Sequence, residues 1–222
     1  MISLPLFDLP TRSSSGFLIR YVVPRSYPPH LVGMLDRKRA FQTLALGDLI
    51  IGAGHGSPTE FCGHDNEVLM DIRNMPDVKG KVVILISCET AQELGPALIA
   101  AGAKGYIGFR QDLVWVVDAD KSATPWRDEI AEPVMMPLVT CINEVMDGKK
   151  VGEAFDTMQR NFSGNIAKEA DELVRSCLIF NGKNAVFLGD PNAMVKKRPP
   201  LFIGFKLIPP PPIVSPVRKP TD

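Results

Sequence analysis

Three features of the chain predict an α/β fold built on a mostly parallel sheet. Short apolar runs alternate with segments of helical spacing. The strongest run, Lys81 to Ser87, is apolar and β-branched, as a strand covered on both faces should be. From there to Phe109 the pattern is strand, helix, strand, spanning the roughly 30 residues of a parallel crossover. Such crossovers are right-handed in nearly all cases.

The elements follow in order. Residues 1–16 mix Pro, Ser and apolar side chains without a period and are expected as an N-terminal extension. Phe17 to Val23 is aliphatic and aromatic and ends at Pro24, which predicts a strand. Leu31, Met34, Leu35, Phe41, Leu44 and Ala45 carry helical spacing, with Gly47 at the helix end. Asp48 to Ala53 predicts a buried strand, and Gly54 to Pro58 a loop. After the strand at 81–87, Ala91, Leu94, Leu98 and Ala101 predict a helix that Gly102 stops. Gly105 to Phe109 is the next strand. Gln111 to Pro133 is expected as a long loop with some strand, and long loops in compact domains tend to be functional. Pro137 to Met146 is helical, and Phe155 through Cys177 marks one long helix. Asn184 to Leu188 is the last strand, closed by Gly189-Asp190-Pro191. Residues 193–222 are Pro-rich and expected as an extended or disordered tail. One domain over 17–192 is the result.

Composition narrows the function classes. Of 222 residues, 45% are hydrophobic and 23% charged, enough to bury a core without disulfides or metals. The 25 Lys and Arg balance 25 Asp and Glu, so the chain lacks the excess positive charge on which non-specific nucleic-acid binding rests. Cys62, Cys88, Cys141 and Cys177 show no Cys-x-x-Cys spacing and are expected as reduced thiols in a cytoplasmic protein. The start has neither the basic region nor the apolar run of a secretion signal. No apolar run reaches the ~18 residues of a membrane span. Cys62 and His64 beside His55 do not form a standard zinc pattern, and no metal or cofactor is expected. The glycines around His55 are wrongly spaced for a dinucleotide-binding turn.

Open α/β sheets form sites just past the carboxyl ends of their strands. Two such ends carry chemistry: Gly54-His55-Gly56 and Ser87-Cys88-Glu89. A thiol attacks a carbonyl as the thiolate, and an imidazole nearby can take its proton or protonate the leaving amine. Gly54 and Gly56 leave room for a substrate carbonyl to approach main-chain amides. The N–H groups of Gly56 and Cys88 are the candidate oxyanion donors. Cys88 is also expected just before a helix, whose N-terminal field would favour a thiolate. Glu89 is a candidate helix cap or substrate contact.

Here the chain resembles a family. Leu49-Ile50-Ile51-Gly52-Ala53-Gly54-His55-Gly56 and Val82-Val83-Ile84-Leu85-Ile86-Ser87-Cys88 are similar to the His-Gly and Ser-Cys strand ends of caspase-like cysteine peptidases. Ala97 to Phe109 and Phe187-Leu188-Gly189-Asp190-Pro191 look like the gingipain and CHAT branch. The resemblance covers roughly residues 17 to 192. It implies a caspase-like three-layer αβα sandwich and a cysteine endopeptidase acting through a thioester acyl-enzyme. Cys88 would be the nucleophile and His55 the general acid–base, with no third residue required and a peptide or protein as substrate. The acidic residue that clostripain-like relatives carry two positions before the cysteine is replaced here by Ile86. Asp112, Asp118 and Asp120 lie after the following strand, where pocket residues of the family sit, and the sequence does not choose among them. The alternative is a catalytically silent domain of the same fold that binds or regulates.

Overall fold

The computed structural model of the chain describes residues 2–26, 30–33, 37, 38 and 47–196. Its elements are β1 (Ile2–Leu4), α1 (Leu9–Tyr21), β2 (His30–Val32), β3 (Leu49–Ala53), β4 (His55–Gly56), β5 (Glu60–Cys62), β6 (Val68–Asp71), β7 (Val82–Ile86), α2 (Leu94–Ala100), β8 (Gly105–Phe109), α3 (Glu132–Met146), α4 (Val151–Lys168), α5 (Glu172–Asn184) and β9 (Ala185–Gly189).

The main sheet has the order β2-β1-β3-β7-β8-β9. Its first five strands are parallel, and β9 closes it antiparallel to β8. Side chains alternate across β3: Leu49, Ile51 and Ala53 join one core, and Ile50 joins the other. The first core takes α1, α3, α4 and α5 through Phe17, Leu138, Met158 and Leu178. The second is covered by α2 and by the small antiparallel sheet β4-β5-β6, through Leu94, Leu98, Phe61 and Leu69. Phe61 seats its ring over Gly52, where any added Cβ would lie 2.5 Å from the ring. The fold is thus α/β, with a mostly parallel sheet between two layers.

Several expectations are corrected. Where a strand is expected at Phe17 to Val23, α1 runs on to Tyr21 and a 3-10 turn begins at Val23. Asp8 starts that helix: its Oδ1 accepts the Thr11 N–H at 2.9 Å, and Thr11 Oγ1 accepts the Asp8 N–H in return at 3.3 Å. The helix buries small residues, Ser13 to Gly16, against the turn at Pro125. Residues 2–16, expected as an extension, supply β1 and the start of α1. His55 and Gly56, expected in a loop, form a two-residue strand. The long helix expected over 155–177 is two, because Asp171 accepts the N–H groups of Leu173 and Val174 and begins a new one. The loop from 111 to 131 contains two 3-10 turns and no strand. The helix expected over 31–46 falls mainly outside the described residues, and His30–Val32 is strand. Ala193 and Val195 are buried in the core, while 197–222 lie outside the described residues.

Candidate active site

The register of the two central strands sets the site. Ala53 of β3 pairs with Ile86 of β7, so His55 and Cys88 each follow that pair by two residues. The Gly54 N–H continues the pairing with a 3.2 Å bond to the Ile86 carbonyl. Both side chains then line one cleft of about 320 Å³.

His55 is held on both sides. Its strand β4 leaves the main sheet and pairs with β5, His55 opposite Cys62. The Ser57 N–H donates to the Glu60 carbonyl at 2.9 Å. Bonds alternate along an antiparallel ladder, so the Gly56 N–H faces away from β5. Gly56 also lies against the cysteine turn: a Cβ there would collide with the Cys88 carbonyl oxygen and come within 2.8 Å of Thr90 Cγ2.

The His55 ring meets a residue the sequence did not reveal. Its Nε2 lies 2.6 Å from Asp8 Oδ2. One carboxylate thus serves two purposes: Oδ1 caps α1 and Oδ2 holds the imidazole. Burial raises the Asp8 carboxyl, but hydrogen bonds from the Thr11 side chain, His55 and the Thr11 N–H outweigh it and hold it below its usual range. An ionised Asp8 accepts, so Nε2 donates, and in the neutral imidazole Nδ1 carries the ring's lone pair. Phe7 packs edge-on against the same ring. The sequence signal was the helix start Asp8-Leu9-Pro10-Thr11, with Asp before a helical Pro.

Cys88 sits on a tight turn. Its carbonyl accepts the Thr90 N–H at 2.7 Å, and Glu89 has a left-handed backbone (φ 57°). Such a backbone costs a non-glycine residue on the order of 1 kcal/mol and persists only where surroundings enforce it. Here the Glu89 N–H is tied to the Gln111 carbonyl at 3.1 Å. Beneath the turn, the buried Tyr106 hydroxyl donates to Thr90 Oγ1 at 2.9 Å, and Thr90 Oγ1 meets Ser87 Oγ at 3.0 Å.

The expected thiolate-favouring helix field is not found. Helix α2 begins only at Leu94, beyond the turn, and a helix field falls off within its first turn. The Cys88 thiol is instead pushed up. Burial is the main cause; a hydrogen bond from the Leu113 backbone opposes it, while Asp112, by charge and hydrogen bond, and the charge of Glu89 add to it. Glu89 does not cap α2, whose first flanking residue is Glu93. Asp112 lines the cleft at its exposed rim. Asp118 does not line it; its Oδ1 accepts the Asp120 N–H at 3.0 Å. Trp115 lines the cleft, whereas Trp126 does not. Cys141 and Cys177 are buried in the core, as their helical spacing predicts. Among the described residues, no three His, Cys, Asp or Glu side chains could hold a metal ion, and no helix is long and apolar enough to cross a membrane.

No family model and no curated protein matches the chain. Solved structures do. The complex of the pro- and mature domains of RgpB from Porphyromonas gingivalis superposes with a TM-score of 0.57 at 11% identity, covering 83% of this chain and 43% of that one. The Arg-specific cysteine proteinase gingipain R superposes with a TM-score of 0.55 at 14% identity, covering 88% of this chain and 47% of that one. A third structure, described as a protease, gives 0.55 at 16% identity, covering 88% and 48%. The chain therefore spans a little under half the length of the proteins it matches. At these identities the likeness is one of fold alone: the chain shares the caspase-like α/β fold of these structures.

Proposed function

We propose that the chain is a cysteine endopeptidase in which Cys88 is the nucleophile and His55 the general acid–base. The observation that carries this is the shared cleft: both residues follow the same pair of adjacent parallel strands by two positions and line one cavity. Asp8 adds a positioning role by fixing the imidazole with Nδ1 free.

The Cys88 proton passes to His55 Nδ1 as sulfur attacks the carbonyl carbon of the scissile bond. The tetrahedral oxyanion is met by the N–H groups of Gly56 and Cys88. One such donor is worth on the order of 3 kcal/mol of transition-state stabilisation. The C–N bond breaks as the imidazolium returns the proton to the leaving amine. Water, deprotonated by His55, then cleaves the thioester, releases the carboxylic acid and restores the thiol. The partner is a peptide or protein chain, and a cytoplasmic setting fits the free cysteines.

A second reading keeps the fold and drops the chemistry. The raised Cys88 thiol favours it, since a nucleophile is more often pushed down. A quenched-peptide library read with wild type, Cys88→Ala and His55→Ala separates the two. Hydrolysis by wild type alone supports the peptidase; an unhydrolysed library that still binds supports the silent module.

A further inference from the structure

The cleft walls indicate what kind of side chain the site takes. This rests on the peptidase reading above. Beyond the reacting groups, the cleft is lined by Pro10 and Ser14 of α1, Ile86 of β7, and Leu113, Val114, Trp115 and Val117 of the loop after β8. Those walls are largely aliphatic and aromatic. Among the described residues, Asp112 is the one carboxylate that lines the cleft, and no Lys or Arg lines it. Asp112 stands at the exposed rim, where it helps to push the Cys88 thiol up. A carboxylate so exposed is screened by water and gives little binding energy to a cation. Clasping a guanidinium calls for a free, two-pronged carboxylate. By contrast, Val114, Trp115 and Val117 are half-buried and Leu113 and Ile86 are buried, so they bind by excluding water.

The apolar wall is also fixed in place. Buried Asn181 of α5 accepts the Val114 N–H at 3.0 Å and donates to the Val114 carbonyl at 2.5 Å. The Trp115 Nε1–H donates to Ser13 Oγ of α1 at 3.1 Å, tying the loop across to the opposite wall. The Arg110 N–H donates to the Asn184 carbonyl at 2.9 Å. The loop that shapes the cleft is therefore held by α1, by α5 and by the turn that carries Cys88. A cavity of about 320 Å³ holds one large side chain.

We propose that this site selects a large uncharged apolar side chain, such as leucine, methionine or phenylalanine, just before the cleaved bond. In this it differs from the Arg-specific proteinase that shares its fold. The specificity-determining side chains are Val114, Trp115 and Val117.

The test uses the full chain and three irreversible peptidyl acyloxymethyl ketones that differ only in the residue next to the warhead: leucine, arginine or aspartate. Adducts on Cys88 are timed by mass spectrometry. The expected result is labelling by the leucine probe at least about tenfold faster than by either charged probe, the discrimination that a few methylenes give in an apolar pocket. Val117→Asp is expected to shift the ratio towards arginine, and Val117→Lys away from it. Equal or faster labelling by the arginine probe, or a ratio that neither Val117 variant moves, overturns the apolar preference and leaves the peptidase reading standing. Failure of all three probes to modify Cys88 overturns both.

Discussion

His55 Nε2 and Asp8 Oδ2 meet at 2.6 Å although 47 residues separate them in the chain. The contact joins the first helix to the end of β3, so the first helical turn is part of the site. Asp8→Asn retains a good helix cap but offers no anionic acceptor. Its expected effect is a fall in kcat of about 10²-fold with KM little changed, in line with the worth of a general acid–base. Steady-state kinetics check this, and circular dichroism should show the helix retained. Asp8→Ala should lose about 1 kcal/mol more stability through the missing cap.

Stability should depend on pH through the same carboxyl. Its folded pKa lies below the ordinary value of 3.8, so the folded state favours the ionised form. The contribution is present in full above 3.8 and is lost as pH falls through the folded value. The stability gap between wild type and Asp8→Asn should therefore shrink below about pH 4. Denaturant melts at pH 3 and pH 6 measure it.

The Cys88 thiol is pushed up by burial and further by Asp112 and Glu89. Its alkylation by iodoacetamide should rise with pH through a midpoint above that of an ordinary thiol. Asp112→Asn removes one of the groups that raise it, so the midpoint should move down and alkylation at pH 7.5 should quicken. A midpoint unmoved by the substitution would remove Asp112 from the electrostatics of the thiol.

Gly56 has no space for a side chain beside the Cys88 carbonyl and Thr90. Gly56→Ala must displace the cysteine turn or the histidine strand. A cost of about 1–3 kcal/mol is expected, together with loss of Cys88 labelling. Thermal melts and probe kinetics read the two effects separately.

Asn181 is fully buried and bonds both backbone groups of Val114. Asn181→Ala leaves both without their partner, at a cost of about 1–3 kcal/mol. Hydrogen exchange should quicken at residues 112–117 while β7 stays protected.

Much of the architecture was legible in the sequence. Leu49–Ala53, Val82–Ile86 and Gly105–Phe109 are apolar on both faces because both faces are covered, and such runs stand out. His55 and Cys88 stood out because each follows one of these runs. Helix α1 was hidden because it buries Ser13, Ser14, Ser15 and Gly16, small residues that leave no apolar stripe, and because Phe17 to Val23 mimics a strand. Asp8 was hidden with it, since its role depends on a tertiary contact. The break at 169–171 turned on a single capping aspartate inside a continuous helical spacing. The thiolate-favouring helix failed for a related reason: the apolar spacing from Ala91 includes turn residues, and the helix itself starts at Leu94.

The most direct measurement of the proposed chemistry is the site and rate of covalent capture. The chain is incubated with a peptidyl acyloxymethyl ketone, digested and mapped across Cys62, Cys88, Cys141 and Cys177. The proposed chemistry predicts one adduct per chain, on Cys88, formed at least about 10²-fold more slowly in His55→Ala. Capture at Cys62 as fast as at Cys88, or a Cys88 rate unchanged in His55→Ala, would contradict it.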